Sequence, residues 1–336
     1  MRWNLKSNHL IMLKKILFAS VFLILFVLIA VLVFFGSYYV RVKHYPANPD
    51  KGYHAGFYLY ISPGAKKTAE SGRAVTFLIQ PNNSGTTSDD PMVHQKDAWW
   101  TGFERHKIAN DLDVVLLVPA FIRPSQDWHI YTHALDRDAL TTKREDLSRI
   151  DLQLLAMIDE ARIFLKEEGI DTNEKFLLQG FSASGMFANR FTILHPERIL
   201  AAAFGSPGGW PIAPVKNYKG VLLPYPAGIG DLDILTGKAF DSVTYVGIPQ
   251  LIILGSADDN DSLDFTDGWD KDAAGLVDGF FGNDPLSRWP HSESLYKQTG
   301  ANVKFILVDG VGHDRKKLQS YGVDFFVNIL NKQKSL

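Results

Sequence analysis

Residues 175–194, KFLLQGFSASGMFANRFTIL, constrain the fold more than any other stretch. An apolar run with strand character ends at Gly180, a small-residue turn follows, and Met186 opens a segment with helical character. Strand, small-x-Ser-x-small turn and helix make a nucleophile elbow. A serine at the tip of so sharp a turn takes strained backbone angles, and small residues two before and two after it keep the neighbouring backbone from clashing. Gly180 and Ser184 hold those flanking positions around Ser182, the candidate nucleophile. With Ser184 as the tip, Met186 would occupy a position that needs a small residue. The competing reading, a serine that simply caps a helix, is weighed by whether partners for Ser182 occur elsewhere in the chain.

The remaining chain alternates. Residues 56–61, 74–80, 113–119, 199–204, 250–255 and 303–308 are apolar runs of strand length. Between them, residues 94–109, 147–168, 292–299 and 321–330 carry helical spacing, and residues 206–249 are Gly/Pro-rich and read as a loop or insertion. Alternation of this kind predicts an α/β fold with a mostly parallel central sheet covered by helices on both faces.

Residues 16–35, ILFASVFLILFVLIAVLVFF, form an uncharged apolar run long enough to cross a bilayer as a helix. It continues into Gly36-Ser37-Tyr38-Tyr39 without the Ala-x-Ala-like end of a cleaved signal. An uncleaved anchor is therefore expected, with secretion after cleavage as the alternative. Arg2, Lys6, Lys14 and Lys15 precede the run, and Arg41 and Lys43 follow it. This excess puts residues 1–15 in the cytoplasm and the large C-terminal part outside. Residues 36–54 read as a tether and residues 55–332 as one domain of a size suited to a single α/β unit. With 35 Lys+Arg against 37 Asp+Glu and no basic block, nucleic acid is not an expected partner. The absence of cysteine excludes disulfides, a thiol nucleophile and thiolate metal sites.

Serine needs a base to remove its proton and a third group to orient that base. His313 is the candidate base, since Asp309-Gly-Val-Gly-His313 follows a strand late in the chain on a flexible loop. In a Ser, Asp, His order the acid falls between them, and Gly255-Ser-Ala-Asp258-Asp259 after the penultimate strand offers two candidates.

Three pieces in this order, each just after a strand, resemble the α/β-hydrolases, with a flavour of the esterase and polyhydroxybutyrate-depolymerase-like branch, over roughly residues 55–332. The resemblance implies acyl transfer to water through an acyl-serine, with no cofactor. Its Gly-x-x-Asp spacing points to Asp258 over Asp259. It also implies an oxyanion hole built from the backbone of Ala183 and a donor after the 74–80 strand. Many hydrolases carry His-Gly at that second place. Here Pro81-Asn82-Asn83 stands instead, and proline has no N–H. Asn83 is the choice, with Asn82 as the alternative donor or a pocket residue.

Trp210, in a Gly-Gly-Trp-Pro loop beyond the strand after the elbow, is a candidate pocket residue, whereas His94, His129 and His133 read as structural. The acidic run 258–264 fails the spacing of a calcium loop, so no metal is expected. The expected function is a membrane-anchored serine hydrolase acting on small-molecule or lipid-like carboxylic esters. Its alternatives are a peptidase or thioesterase on the same fold, or a catalytically silent binding protein that keeps it. Nothing in the chain fixes an oligomeric state.

Overall fold

A computed structural model describes residues 2–334 apart from Ser84, Thr266 and Asp267. Ser84, one of the turn residues after the 74–80 run, thus lies outside the described residues. The chain divides into two compact units, Met1–Val42 and Lys43–Leu336.

The first unit is dominated by helix α1 (Arg2–Tyr39). Its segment Met12–Val31 is 20 residues long and apolar enough to cross a membrane, about 30 Å at helical rise. Apolar side chains such as Leu17, Phe22 and Ile29 are exposed around this segment. No polar face opposes them, so the helix lacks the amphipathic stripe by which a helix of a water-soluble domain docks on a core.

Strands β1 (Val42–Tyr45), which begins at the last residue of the first unit, β2 (Phe57–Ile61), β3 (Phe77–Ile79), β4 (Val115–Pro119), β5 (Phe176–Phe181) and β6 (Ile199–Gly205) join a later pair in one sheet. A two-strand ribbon, β7 (Asn217–Tyr218) and β8 (Val221–Leu222), lies apart from it, and β9 (Gln250–Gly255) and β10 (Val303–Val308) complete the eight. The order is β1-β2-β4-β3-β5-β6-β9-β10. Strand β2 is antiparallel to β4, while every paired neighbour from β4 to β10 is parallel. Residues 42–45, within the expected tether, are therefore an edge strand of the sheet.

Helices α2 (Pro63–Glu70), α3 (Pro91–Leu112), α4 (Arg137–Thr141), α5 (Ile150–Glu167) and α6 (Ala183–Leu194) precede the short α7 (Leu232–Thr236) and α8 (Ser242–Gly247). The chain ends with α9 (Lys271–Phe281), α10 (Pro285–Gln298) and α11 (Arg315–Lys334). One face of the sheet, with Phe77, Ile79, Val115 and Leu117, shares a core with Leu154 and Ile158 of α5 and Phe187 and Phe191 of α6. The alternate residues Leu78, Leu116 and Leu177 are buried as well, outside that cluster. Pleating sends them to the opposite face, where α3 and α11 contact the sheet and each other. This is the two-sided cover that the uninterrupted apolar strands required.

Local chemistry sets the helix starts. Ser62 accepts from the Ala65 amide with Pro63 in the first turn of α2, and Asp90 accepts from the Met92 amide with Pro91 in the first turn of α3. Helix α2 is hidden in the sequence because Pro-Gly reads as a turn, and α9 because Gly275 and Gly279 dilute its apolar pattern. Since β3, β5, β6, β9 and β10 are parallel, the loops leaving their carboxyl ends open on one edge of the sheet, where ligands bind in folds of this kind.

Candidate active site

Ser182 sits at that edge between β5 and α6 with φ 58° and ψ −126°, a region that a residue with a side chain occupies only when its surroundings enforce it. The Ser182 amide donates to Gly205 O at 2.9 Å. The close packing demands glycine nearby: a Cβ on Gly180 would lie 1.9 Å from Ser184 O, and one on Gly185 would lie 2.8 Å from Gly205 O. Ser184, the rival tip, is buried, and its hydroxyl is engaged with the backbone of Phe181.

His313 follows β10, and Asp258 follows β9. The Nδ1 of His313 lies 3.0 Å from each carboxylate oxygen of Asp258. Asp258 is buried and Asp259 exposed, so the fold brings only the first of the two candidate acids to the imidazole. Burial works to raise the Asp258 pKa. The bond from His313, with the Ser206 hydroxyl nearby, outweighs it and holds the carboxyl below its usual value. Ser206, in a left-handed conformation at φ 43° just after β6, carries no motif that would have singled it out. The two loops are locked together: the Ala257 amide donates to Val311 O at 2.9 Å.

Ser182 and His313 line one cavity of about 500 Å³. Ala183 is the first residue of α6, so its N–H belongs to the opening turn, where amides have no partner within the helix. Asn83 lines the cavity too, and among the described residues its side-chain amide donates a single long bond of 3.4 Å, to Phe181 O.

Two expectations are corrected. Asn82 is fully buried, its amide oxygen accepting from the Phe121 N–H and its amide nitrogen donating to Phe121 O at 3.0 Å beside His133. Its side-chain amide ties the β3 loop to the loop after β4 and is used inside the fold. Trp210 is also buried, donating to Ala227 O at 2.9 Å and stacked on Phe281 at 4.4 Å. It belongs to the core between the insertion and α9, because the loop that carries it folds inward.

The cavity has walls that the motif reading missed: Asp97, Trp100 and Glu104 from α3, with Tyr131 and Arg315. The first three recur at helical spacing directly after the expected oxyanion loop, the one signal by which they could have been found.

An eight-stranded, mostly parallel sheet with its second strand reversed, a strained serine between β5 and α6, and an acid–imidazole pair after the last two strands define the α/β-hydrolase fold. Among solved structures the chain is similar to poly(aspartic acid) hydrolase-1 from Sphingomonas sp. KT-1, with 16% identity and a TM-score of 0.53 over 80% of this chain and 92% of that one. It is also similar to a poly(3-hydroxybutyrate) depolymerase from Bordetella parapertussis, with 16% identity and a TM-score of 0.50 over 85% of both chains. At such identities the likeness is one of fold. No protein-family model matches the sequence, and no curated protein matches it.

Proposed function

We propose that the protein is a serine hydrolase that cleaves carboxylic esters and is held to a membrane by the apolar helix within residues 16–35, with residues 1–15 cytoplasmic and the hydrolase domain, residues 55–332, outside. The observation that carries the hydrolase reading is the bond from His313 Nδ1 to buried Asp258 on the rim of the cavity that Ser182 lines. An imidazole held through Nδ1 keeps Nε2 free to accept a proton.

In the first step Ser182 Oγ attacks the ester carbonyl carbon and its proton passes to His313 Nε2. Asp258 fixes the tautomer and stabilises the imidazolium. The Ala183 N–H and the Asn83 amide receive the negative oxygen of the tetrahedral intermediate. Collapse expels the alcohol, which leaves with the proton from His313, and the acyl group stays on Ser182. Water, deprotonated by the same imidazole, then attacks the acyl-serine, and the carboxylic acid departs as Ser182 regains its proton. Every proton moved is returned within the cycle, so the chemistry needs no cofactor.

The test is labelling with a fluorophosphonate probe, with the modified residue read by mass spectrometry, beside turnover of simple esters. Labelling confined to Ser182 is expected. Ser182→Ala should remove it and lower kcat by roughly 10⁶-fold with thermal unfolding unchanged. Substantial turnover by Ser182→Ala would exclude this serine as nucleophile. A folded protein that neither labels nor turns over esters would instead be a silent binding protein on this fold.

A further inference from the structure

Two guanidinium groups line the cavity that holds Ser182. Arg105 comes from α3 and Arg315 from the first turn of α11, and they share one carboxylate. Glu104 Oε2 is 2.7 Å from Arg315 Nη2 and 3.4 Å from Arg105 Nη1. Arg315 also donates to Gln319 Oε1 at 3.0 Å. Arg105 is worse supplied: it is 94% buried, with 6% exposed, and its long contact to Glu104 is its only hydrogen bond among the described residues. Burial, aided by repulsion from Arg315, brings its pKa down to about 9, so it is still charged at neutral pH.

Among the described residues, Glu104 is the one carboxylate that pairs with Arg105, and it is shared with Arg315. Arg105 also borders a small adjoining pocket of about 20 Å³, where Gln80 and Gln179 are neutral amides whose buried oxygens have no partner among the described residues. Asp97, the other acid lining the cavity, makes no ion pair with either guanidinium among the described residues; burial raises its carboxyl to about 6, and one of its oxygens is buried without a partner. An under-compensated buried cation is costly, and the cavity is the side from which an anion can reach it. A hydrocarbon acyl chain would leave the guanidinium as it is. A carboxylate would fit its planar fork through charge-assisted hydrogen bonds.

We propose that Arg105, with Arg315 beside it, forms an anion subsite of the substrate cavity, and that the esters cleaved at Ser182 carry a free carboxylate, as half-esters of dicarboxylic acids do. This rests on the hydrolase reading of Ser182, and the test separates the two.

The full-length chain in detergent is assayed on monoethyl adipate and ethyl hexanoate, esters of equal acyl length that differ in a terminal carboxylate. The ratio of their kcat/KM values should favour the half-ester by roughly tenfold or more, as expected for a charge-assisted bond. Arg105→Gln should lower that ratio by about the same factor through KM, and Arg105→Lys should restore much of it. Should Arg105→Gln fold poorly, Arg315→Gln gives a second variant, expected to lower the ratio less. A wild-type ratio of one or below, or a ratio indifferent to both glutamine variants, overturns the subsite. Fluorophosphonate labelling of the same samples reports separately on Ser182. Labelled Ser182 without the preference removes the subsite and leaves the hydrolase standing. If Ser182 does not label, calorimetric binding of adipate decides the subsite alone: saturable binding lost in Arg105→Gln and kept in Arg105→Lys supports it, and absence of binding overturns it.

Discussion

Ser182 and Ser184 stand two residues apart in the same turn, yet their surroundings give them opposite prospects. Both line the cavity, but Ser184 Oγ is committed to the Phe181 backbone, while Ser182 is held at a positive φ at the tip of the turn. The same contrast separates Asp258, buried against His313, from exposed Asp259. Asp258→Asn should lower kcat by roughly four orders of magnitude, because an amide favours the wrong imidazole tautomer. Asp259→Asn should stay within about a factor of two, as an exposed substitution does. Equal losses in the two variants would remove Asp258 from the proposed role. The Asp258 variant should also respond differently to acid. Its carboxyl has a lowered pKa in the folded chain, so the stability it contributes is present above the ordinary carboxylate range and is lost as pH falls through the lowered value. Unfolding followed below about pH 4 should therefore be less pH-dependent in Asp258→Asn than in the wild type.

At the scale of elements, the β5–α6 turn works only because backbone passes where a side chain would otherwise sit. Gly180→Ala places a Cβ 1.9 Å from Ser184 O, a backbone atom that cannot swing aside. The expected result is a loss of at least about 3 kcal/mol, the upper end of overpacking penalties, or failure to fold. Gly275→Ala is its counterpart in α9, at an exposed helical position where a Cβ would meet nothing within 4 Å. That change should raise stability by about 0.5–1 kcal/mol. Denaturant unfolding of both variants tests whether the elbow is limited by steric contact, and a well-folded Gly180→Ala would show that it is not. Helix α9 also shows why Trp210 is a core residue. Phe281 from its last turn stacks on the indole, and neither partner's sequence neighbourhood announces the other.

For the whole molecule, the separate compact units Met1–Val42 and Lys43–Leu336 lead to an expectation about the anchor. The full chain should remain with membranes after alkaline carbonate washing. A chain beginning at residue 41, which keeps β1, should appear in the soluble fraction and still label at Ser182. Release of the full-length chain by carbonate would count against a spanning helix. Much of this organisation was legible in the linear chain because it depends on neighbours in sequence: the 20-residue apolar run, the apolar strands of a sheet covered on both faces, and the small residues around Ser182. Ser182, His313 and the pair Asp258/Asp259 could be proposed because each follows a strand and parallel strands bring their carboxyl ends to one edge, while the preference for Asp258 came from the resemblance alone. What depended on contacts between distant segments could not be read in that way. The burial of Asn82 by Phe121 and His133, the stacking of Trp210 on Phe281, and the meeting of Arg105 with Arg315 each join residues dozens to hundreds of positions apart. Short-range pattern and backbone chemistry determined the elements and the order of the proposed triad residues along the chain. Side-chain packing between elements, which no local periodicity encodes, decided which polar groups face the cavity and which are used up inside the fold.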